Sequence, residues 1–317
     1  MKTIRRLILG LMIGTLAGAA NAALLRIAVV PKSDGNEYWA AVKEGALKAR
    51  TDLAAEGVTV EILWKGTARE DQIDEQKQII AGFISQKVDA LVLAPMHAQQ
   101  LVPSAEAAVA GGIPVVVIDS PLNTTAVMST VATDNYKAGV TAARRLAEVI
   151  GGKGKVILLR FQPGHASTAP RESGFLDTIR KHPGIEIVSA EQYAGATVES
   201  GRDAGKKLLA RFGADLRGAF APNQISTAGL LEALHETGLA GKVAFVGFDA
   251  TASHIEALRK KEMQGLVVQQ PFMMGYTGVR TAVAALQGKS VDKEVFTEVK
   301  LVTPENLDTP EIQHLLK

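Results

Sequence analysis

The sequence predicts an α/β fold made of two similar halves, each built on a parallel sheet. Short apolar, β-rich runs alternate along the chain with amphipathic stretches of helical period. The alternation starts again near the middle of the chain, and 317 residues suffice for two domains with separate cores. Strand–helix alternation implies parallel strands joined by right-handed crossovers.

The first half is predicted to contain five strands, most of them separated by helices. The first helix opens with the stretch "GNEYWAAVKEGA", in which Trp39 and Val42 begin an apolar face. A second helix is indicated by the apolar positions Ile73, Ile80 and Phe83. The predicted strands are residues 26–30, 58–63, 90–95, 113–119 and 128–133.

The second half repeats the pattern and then returns towards the first. Helices are predicted from Asn135, near 171–181, near 200–211, between the runs 218–223 and 243–249, and over about 273–287. The predicted strands are residues 155–161, 185–193, 218–223, 243–249 and 265–271, with a final β-rich run in "TEVKLVTPEN". A chain that visits a second half and returns indicates several crossing segments and a hinge.

The N-terminus has the organisation of a secretory signal peptide. A basic start, "MKTIRR", precedes the apolar stretch "LILGLMIGTLAG" and then the small residues "AANA". We expect residues 1–22 to be removed after Ala22; the alternative is a short membrane anchor. The chain has no cysteine, which leaves no disulfide, thiolate metal site or lipoprotein attachment point. We therefore expect a soluble protein of the periplasm.

Conspicuous side chains follow the predicted strands of both halves. In open α/β sheets, ligands bind outside the carboxyl ends of the strands, so residues at these ends are expected to share one cleft. The candidate ligand-binding residues are Lys32, Asn36, Tyr38, Trp39, Asp119, Arg171, Asn223, Asp249 and Gln269. His97 also follows a strand, but we expect an ordinary loop histidine there.

These residue types suit a small hydroxyl-rich ligand. Carboxylates accept hydrogen bonds from hydroxyls, arginine donates in a planar fork, and amides do both. Tyr38 and Trp39 are candidates for a platform against a sugar ring, although Trp39 also continues an apolar helix stripe and is open to a core role. Each polar candidate has a structural alternative, such as helix capping by Asp119, Asp249 or Asn223.

Several alternatives apply to the other polar candidates. The alternative for Arg171 is a surface ion pair with Glu172 or Asp177. The alternative for Lys32 is an ordinary solvent-exposed lysine. Gln269 is open to a role in satisfying hinge backbone groups.

Motifs of catalysis and cofactor binding are missing from the sequence. The six histidines include no HExxH pair, and no GxSxG elbow occurs. The run "GGKGK" lacks the spacing of a phosphate loop and precedes a strand instead of following one. A net charge of +2 gives no indication of nucleic-acid binding. We therefore expect neither cofactor nor metal.

Seven segments follow one another along the chain at characteristic spacing: "NEYWAAVKEGA", "IPVVVIDS", "VATDNYKAG", "RESGF", "FAPN", "VGFD" and "VVQQP". Together they resemble the ribose-binding-protein-like family, the periplasmic sugar-binding proteins of ABC transporters. The resemblance covers nearly all of residues 24–300.

The resemblance implies the periplasmic binding protein type 1 fold, two Rossmann-like lobes joined by three crossings. The first lobe would hold residues 23–133 and 270–297, and the second 134–269 and 298–317. It also implies that Asp119, Arg171, Asn223, Asp249 and Gln269 take the family's sugar-binding and hinge positions. The partners implied are a monosaccharide or polyol and an inner-membrane permease, with binding and no chemistry.

The sequence departs from the ribose-type pattern at some positions. Ser120 stands where that pattern has arginine, and Ala94 where it has asparagine. "RIAVVPK" and "IDS" are also similar to autoinducer-2-binding relatives, which implies a ligand contact for Lys32. Lys32 and Arg171 together would tolerate an acidic or phosphorylated sugar.

The main hypothesis is therefore a monomeric periplasmic receptor that closes its two lobes on a monosaccharide or similar polyol. One alternative is a periplasmic sensor that reports a ligand to a receptor kinase. A more remote one is an exported glycoside-acting enzyme that uses Asp119 and Asp249 as an acid–base pair.

Overall fold

A computed structural model describes residues 24–316, so the expected signal peptide lies outside the described residues. The strands are β1 (Leu25–Val30), β2 (Val60–Trp64), β3 (Ala90–Leu93), β4 (Val115–Asp119), β5 (Ser129–Thr133), β6 (Lys153–Leu158), β7 (Gly184–Ser189), β8 (Leu216–Phe220), β9 (Ala244–Phe248), β10 (Gly265–Val268), β11 (Glu294–Thr297) and β12 (Lys300–Val302). The helices are α1 (Glu37–Ala55), α2 (Ile73–Ser85), α3 (Val102–Ala110), α4 (Asn135–Val149), α5 (Thr168–Ile179), α6 (Val198–Phe212), α7 (Gln224–Glu236), α8 (Ala252–Arg259), α9 (Pro271–Leu286) and α10 (Pro310–Leu315).

The first lobe is built on a six-stranded sheet in the order β11-β5-β4-β3-β1-β2, parallel throughout. Its central strands are buried on both faces, which explains their uninterrupted apolar runs. Helices α1 and α9 pack on one face, and the apolar residues of α2 and α3 cover the other.

The second lobe has the same plan, with the sheet order β12-β10-β9-β8-β6-β7. Its strands are parallel except β12, which runs antiparallel to β10. Helices α4 and α5 cover one face and lie very close together. The closeness is seen at Gly139, where an added Cβ would stand only 2.0 Å from the carbonyl oxygen of Arg171.

The chain passes between the two sheets at three places, after β5, after β10 and after β11. The predicted α/β class with two parallel-sheet lobes is confirmed. Several predicted strands differ in their bounds; the run 185–193 ends at Ser189, for example, and the run 265–271 ends at Val268. The run "TEVKLVTPEN" contains β12 but only the last residue of β11, which begins at Glu294 and belongs to the other sheet. Among the described residues, no helix combines the length and apolarity that a membrane span needs.

Candidate ligand-binding site

A cavity lies between the lobes, at the carboxyl ends of the strands of both sheets. Its free volume in this structure is about 30 Å³, room for a few water molecules at most, so a sugar-sized ligand enters only when the lobes move apart. All nine candidates from the sequence line this cleft cavity: Lys32, Asn36, Tyr38, Trp39, Asp119, Arg171, Asn223, Asp249 and Gln269. Five further residues line it: Glu70, His165, Ser167, Gln224 and Ile225.

Asp119 is the centre of the first lobe's wall. It ends β4 with a left-handed backbone (φ 66°) and is 3% exposed. Its Oδ2 lies 2.7 Å from Lys32 Nζ, and its Oδ1 accepts a 2.7 Å hydrogen bond from the Tyr38 hydroxyl. Burial opposes ionisation, but Lys32, Arg171 and a hydrogen bond from Ser120 outweigh it and hold the pKa of Asp119 well below its usual range.

Lys32 is 1% exposed, which excludes the solvent-exposed alternative. Its ammonium contacts Asp119 Oδ2 at 2.7 Å, Ser120 Oγ at 2.6 Å and Ser167 Oγ at 3.3 Å. A lysine ammonium has three N–H donors, so these three contacts occupy all of them. Lys32 therefore fixes Asp119 in place and offers no free donor to an anion.

The two adjacent aromatics have different surroundings. Trp39 is 2% exposed and belongs to the core of the first lobe, yet it also lines the cavity, and its Nε1 donates a 2.8 Å hydrogen bond to Glu70 Oε1. The Tyr38 ring meets it edge-on, with centroids 5.0 Å apart. Trp39 is thus both a core residue and part of the cavity wall.

Asn36 and Asn223 are both helix caps and cavity residues. Asn36 Oδ1 accepts from the backbone N–H of Trp39 at 3.1 Å, and Asn223 Oδ1 accepts from that of Ser226 at 3.0 Å. The capping alternative for Asn223 is therefore correct, and the cap also fixes the residue in the wall of the cavity.

Arg171 is almost completely buried in the second lobe's wall. It donates to Asn135 Oδ1 at 2.8 Å, to the carbonyl oxygen of Pro222 at 3.0 Å and to Gln269 Oε1 at 2.7 Å. Its guanidinium stacks 3.9 Å from the centroid of the Phe248 ring. The surface ion pair considered as an alternative is wrong, and two of the five arginine N–H groups are left to face the cavity.

Asp249 ends β9 with a left-handed backbone (φ 62°), as Asp119 ends β4. Gln269 Nε2 donates to its Oδ1 at 2.8 Å. Burial raises the pKa of Asp249 to about 6, and Asp119 adds to this against the opposing effects of Arg171 and Gln269. Thr251 caps the following helix, so the capping alternative for Asp249 is wrong.

The capping alternative is also wrong for Asp119, because the next helix, α4, is capped by Asp134. Gln269 Oε1 accepts hydrogen bonds from the side chains of Thr133 and Arg171. These side-chain partners take the place of the hinge backbone groups that were considered as its partners.

Three polar residues in loops at the cavity were not anticipated. Glu70 lies in the loop after β2, and His165 and Ser167 lie between β6 and α5. Burial, reinforced by Lys32, lowers the pKa of His165 to about 4, so the ring is neutral at pH 7. For Glu70, burial is outweighed by His165, Lys32 and Trp39, which lower its pKa.

No periodic pattern marks these loop residues, so the sequence carried no signal for them. Gln224 and Ile225, by contrast, directly follow Asn223 and were within reach of the same reasoning. His97 lies outside the cavity lining, and its Nδ1 accepts from the backbone N–H of Gln99 at 3.2 Å.

Among curated proteins, the chain is similar to a xylitol-binding protein of Mycolicibacterium smegmatis, with 26% identity over 94% of this chain and 82% of the relative. It is 30% identical to the ribose import binding protein RbsB of Bacillus subtilis, over 84% of each chain.

Among solved structures, a carbohydrate transporter solute-binding protein of Agrobacterium radiobacter in complex with D-arabinose superposes with a TM-score of 0.87. It is 32% identical, over 93% of this chain and 99% of that one. The periplasmic component of an ABC-type sugar transport system from Hahella chejuensis has a TM-score of 0.83 and 38% identity, over 88% and 99%. A family model described as a periplasmic binding protein domain matches residues 27–290. The resemblance in the sequence is confirmed, and the chain belongs to the periplasmic binding protein domain family.

Proposed function

We propose that this protein is the periplasmic substrate-binding component of an ABC importer and that it binds an uncharged monosaccharide or small polyol between its lobes. The observation that carries the proposal is the cleft cavity, in which strand ends of both sheets present hydrogen-bonding side chains to one small volume. The relatives support it, because the three described above with named ligands bind xylitol, ribose and D-arabinose.

The charges of the cavity support an uncharged ligand. Two cations, Lys32 and Arg171, face three carboxyl groups, Glu70, Asp119 and Asp249. Lys32 has all three donors occupied by protein groups, so of these two cations only Arg171 has N–H groups left for a ligand. An acidic or phosphorylated sugar would add a negative charge to a cavity whose carboxyl groups already outnumber its two cations.

The unused hydrogen-bonding capacity supports a hydroxylated ligand. Arg171 retains two donors, and Asp249 and the amide nitrogen of Asn223 lie at the cavity surface. Asn36 Nδ2 donates to Glu70 Oε1 at 3.4 Å and keeps its second N–H for a ligand. Tyr38 and Trp39 supply flat rings beside them. Lys32 and Gln269 act indirectly, Lys32 by fixing Asp119, and Gln269 by joining Arg171 to Asp249.

Closure of two lobes would trap the ligand and release it unchanged to a permease. We assign residues 23–133 and 270–297 to one lobe and 134–269 and 298–317 to the other, because each set carries one of the two sheets. Rotation about the three crossings would open the cleft. We further propose that residues 1–22 are a cleaved signal peptide, that the mature protein is a monomer, and that it catalyses no reaction.

Titration calorimetry with purified protein tests the proposal. The panel contains D-ribose, D-arabinose, D-allose, D-fucose, xylitol, ribose 5-phosphate and galacturonate. We expect one or more of the uncharged compounds to bind in a 1:1 ratio and to be recovered unaltered by mass spectrometry. Preference for the two anions would contradict the uncharged ligand, and a converted sugar would contradict binding without chemistry. Failure of every compound to bind would contradict the proposed function.

The variant Asn223→Ser separates binding from folding. Serine caps a helix about as well as asparagine, so the melting temperature without sugar should stay unchanged. The amide nitrogen leaves the cavity, and affinity should fall about tenfold if it contacts the ligand. An unaltered affinity would remove Asn223 from the binding residues.

A further inference from the structure

One loop of the second lobe reaches across the cleft and touches the first lobe directly. It is the segment 162–167, "QPGHAS", between β6 and α5, called the clasp loop below. His165 pairs with His97 of the first lobe in an isolated antiparallel bridge. His165 Nε2 also lies 3.5 Å from Glu70 Oε2, and Ser167 Oγ lies 3.3 Å from Lys32 Nζ.

Gly164 faces the His97 ring of the first lobe at a position with no room for a side chain. Its backbone is left-handed (φ 70°), and a Cβ at this position would stand 2.6 Å from His97 Nε2 and 3.3 Å from Cδ2. The His97 ring is held in place, because its Nδ1 accepts from the backbone N–H groups of Gln99 and Gln100 at 3.2 and 3.4 Å. A side chain at position 164 would therefore press against a fixed ring of the opposite lobe.

We propose that the clasp loop holds the two lobes closed, so that Gly164 and His165, acting through His97, Glu70 and Lys32, are positioning residues that set how tightly the site retains its ligand. This inference rests on the proposed function for its effect on affinity. Its structural part, the joining of the lobes, does not depend on which compound binds.

The contacts of the clasp loop join protein groups without an intervening ligand atom. They form when the lobes close and separate when the lobes open, so they lower the free energy of the closed state alone. A ligand that needs the closed state binds with an apparent affinity scaled by the closed fraction. Weakening the clasp loop should therefore weaken binding without changing any residue that lines the cavity.

Gly164→Ala and Gly238→Ala form a matched pair of variants. Gly238 also has a left-handed backbone (φ 67°), but nothing lies within 4 Å of the Cβ it would gain. Both variants place alanine in the same unfavourable conformation and should lose similar thermal stability. Only Gly164→Ala meets the opposite lobe, so we expect its affinity for the tightest uncharged compound of the panel to fall about tenfold relative to Gly238→Ala.

The position of the lobes can be measured without any sugar. Since the chain contains no cysteine, Glu44→Cys and Glu199→Cys place two spin labels, one on an exposed site of each lobe. Double electron–electron resonance of the sugar-free protein should show a closed population that persists in Gly238→Ala and is depleted in Gly164→Ala. Equal distance distributions in the two glycine variants, or no closed population in the parent protein, would overturn the proposal.

Removal of the opposing ring is the second test. In His97→Ala/Gly164→Ala the clash is absent, so the closed population and the affinity should return towards those of His97→Ala alone. A merely local defect at position 164 would persist in the double variant and would contradict the proposal. If no sugar binds but the spin-label distances respond as expected, the role of the clasp loop is supported and the proposed function is contradicted. If a sugar binds but the distances are the same in both glycine variants, the proposed function is supported and the role of the clasp loop is contradicted.

Discussion

Asp119 and Asp249 occupy equivalent places in the two lobes and yet differ in charge behaviour. Each ends a buried parallel strand, each has a left-handed backbone, and each lines the cleft cavity. The pKa of Asp119 is lowered, whereas that of Asp249 is raised to about 6. The difference lies in their partners: Asp119 has the Lys32 ammonium at 2.7 Å, and Asp249 has the neutral amide of Gln269 at 2.8 Å.

The comparison teaches that the fold fixes where a carboxylate stands, while one neighbour decides how it ionises. The two residues consequently have opposite effects on stability as the pH changes. Asp119 contributes stability that is present above its usual pKa of 3.8 and is lost as the pH falls below it. Asp249 contributes stability that is present below 3.8 and is lost as the pH rises through about 6.

Asp119→Ala should have the largest effect. It leaves the buried Lys32 ammonium without its carboxylate, and breaking a buried pair in this way costs about 3–5 kcal/mol. Thermal and denaturant unfolding at pH 7 measure the loss. Lys32→Met/Asp119→Ala, which removes both charges, should recover much of it. A single variant as stable as the parent would contradict the buried ion pair and with it the comparison.

Asp249→Asn should act in the opposite direction. At pH 7 the parent protein holds an ionised, buried carboxylate, which lowers its stability. Asparagine removes the buried charge and keeps an oxygen that accepts the hydrogen bond from Gln269. The expected gain is up to about 3 kcal/mol at pH 7, shrinking towards zero below pH 4. Melting temperatures between pH 4 and 8 test it. A gain that does not depend on pH would show that the pKa of Asp249 is not raised.

Tyr38→Phe should have the smallest effect of the three. It removes the hydroxyl that donates to Asp119 at 2.7 Å, a hydrogen bond to a buried charge worth about 2 kcal/mol. Tyr276→Phe is the matched control, because its hydroxyl donates at 3.2 Å to Asp52, which is partly exposed. Equal losses of unfolding free energy in the two variants would show that the Asp119 cluster is no stronger than a surface contact.

The parts of the site that could be predicted are those attached to the strands. Asp119 and Asp249 end apolar runs, and the rule that ligands bind beyond strand ends placed them in one cleft. The alternation of strands and helices along the chain, and its division into two halves, followed from the same periodicity. Asn223 was open to two interpretations because one side chain caps a helix and lines the cavity at once.

The parts that could not be predicted depend on contacts between segments distant in sequence. Glu70 and His165 lie in loops without periodicity, and they meet only because the lobes face each other. Lys32 resembled a free cation in the sequence. Its three donors are occupied by residues 88 and 135 positions away as well as by Asp119, which no local pattern reveals.

The three crossings also have a consequence for how the molecule is made. Strand β11, which completes the first sheet beside β5, is formed by residues 294–297, some 160 positions after its partner. Helix α9, which covers the same sheet, follows the whole second lobe in the chain. During synthesis, the first lobe therefore has an unpaired strand edge at β5 and a partly uncovered apolar face until α9 and β11 have been made. An unpaired strand edge is prone to aggregation. Nascent chains interrupted before residue 297 should accordingly need a chaperone to remain in solution.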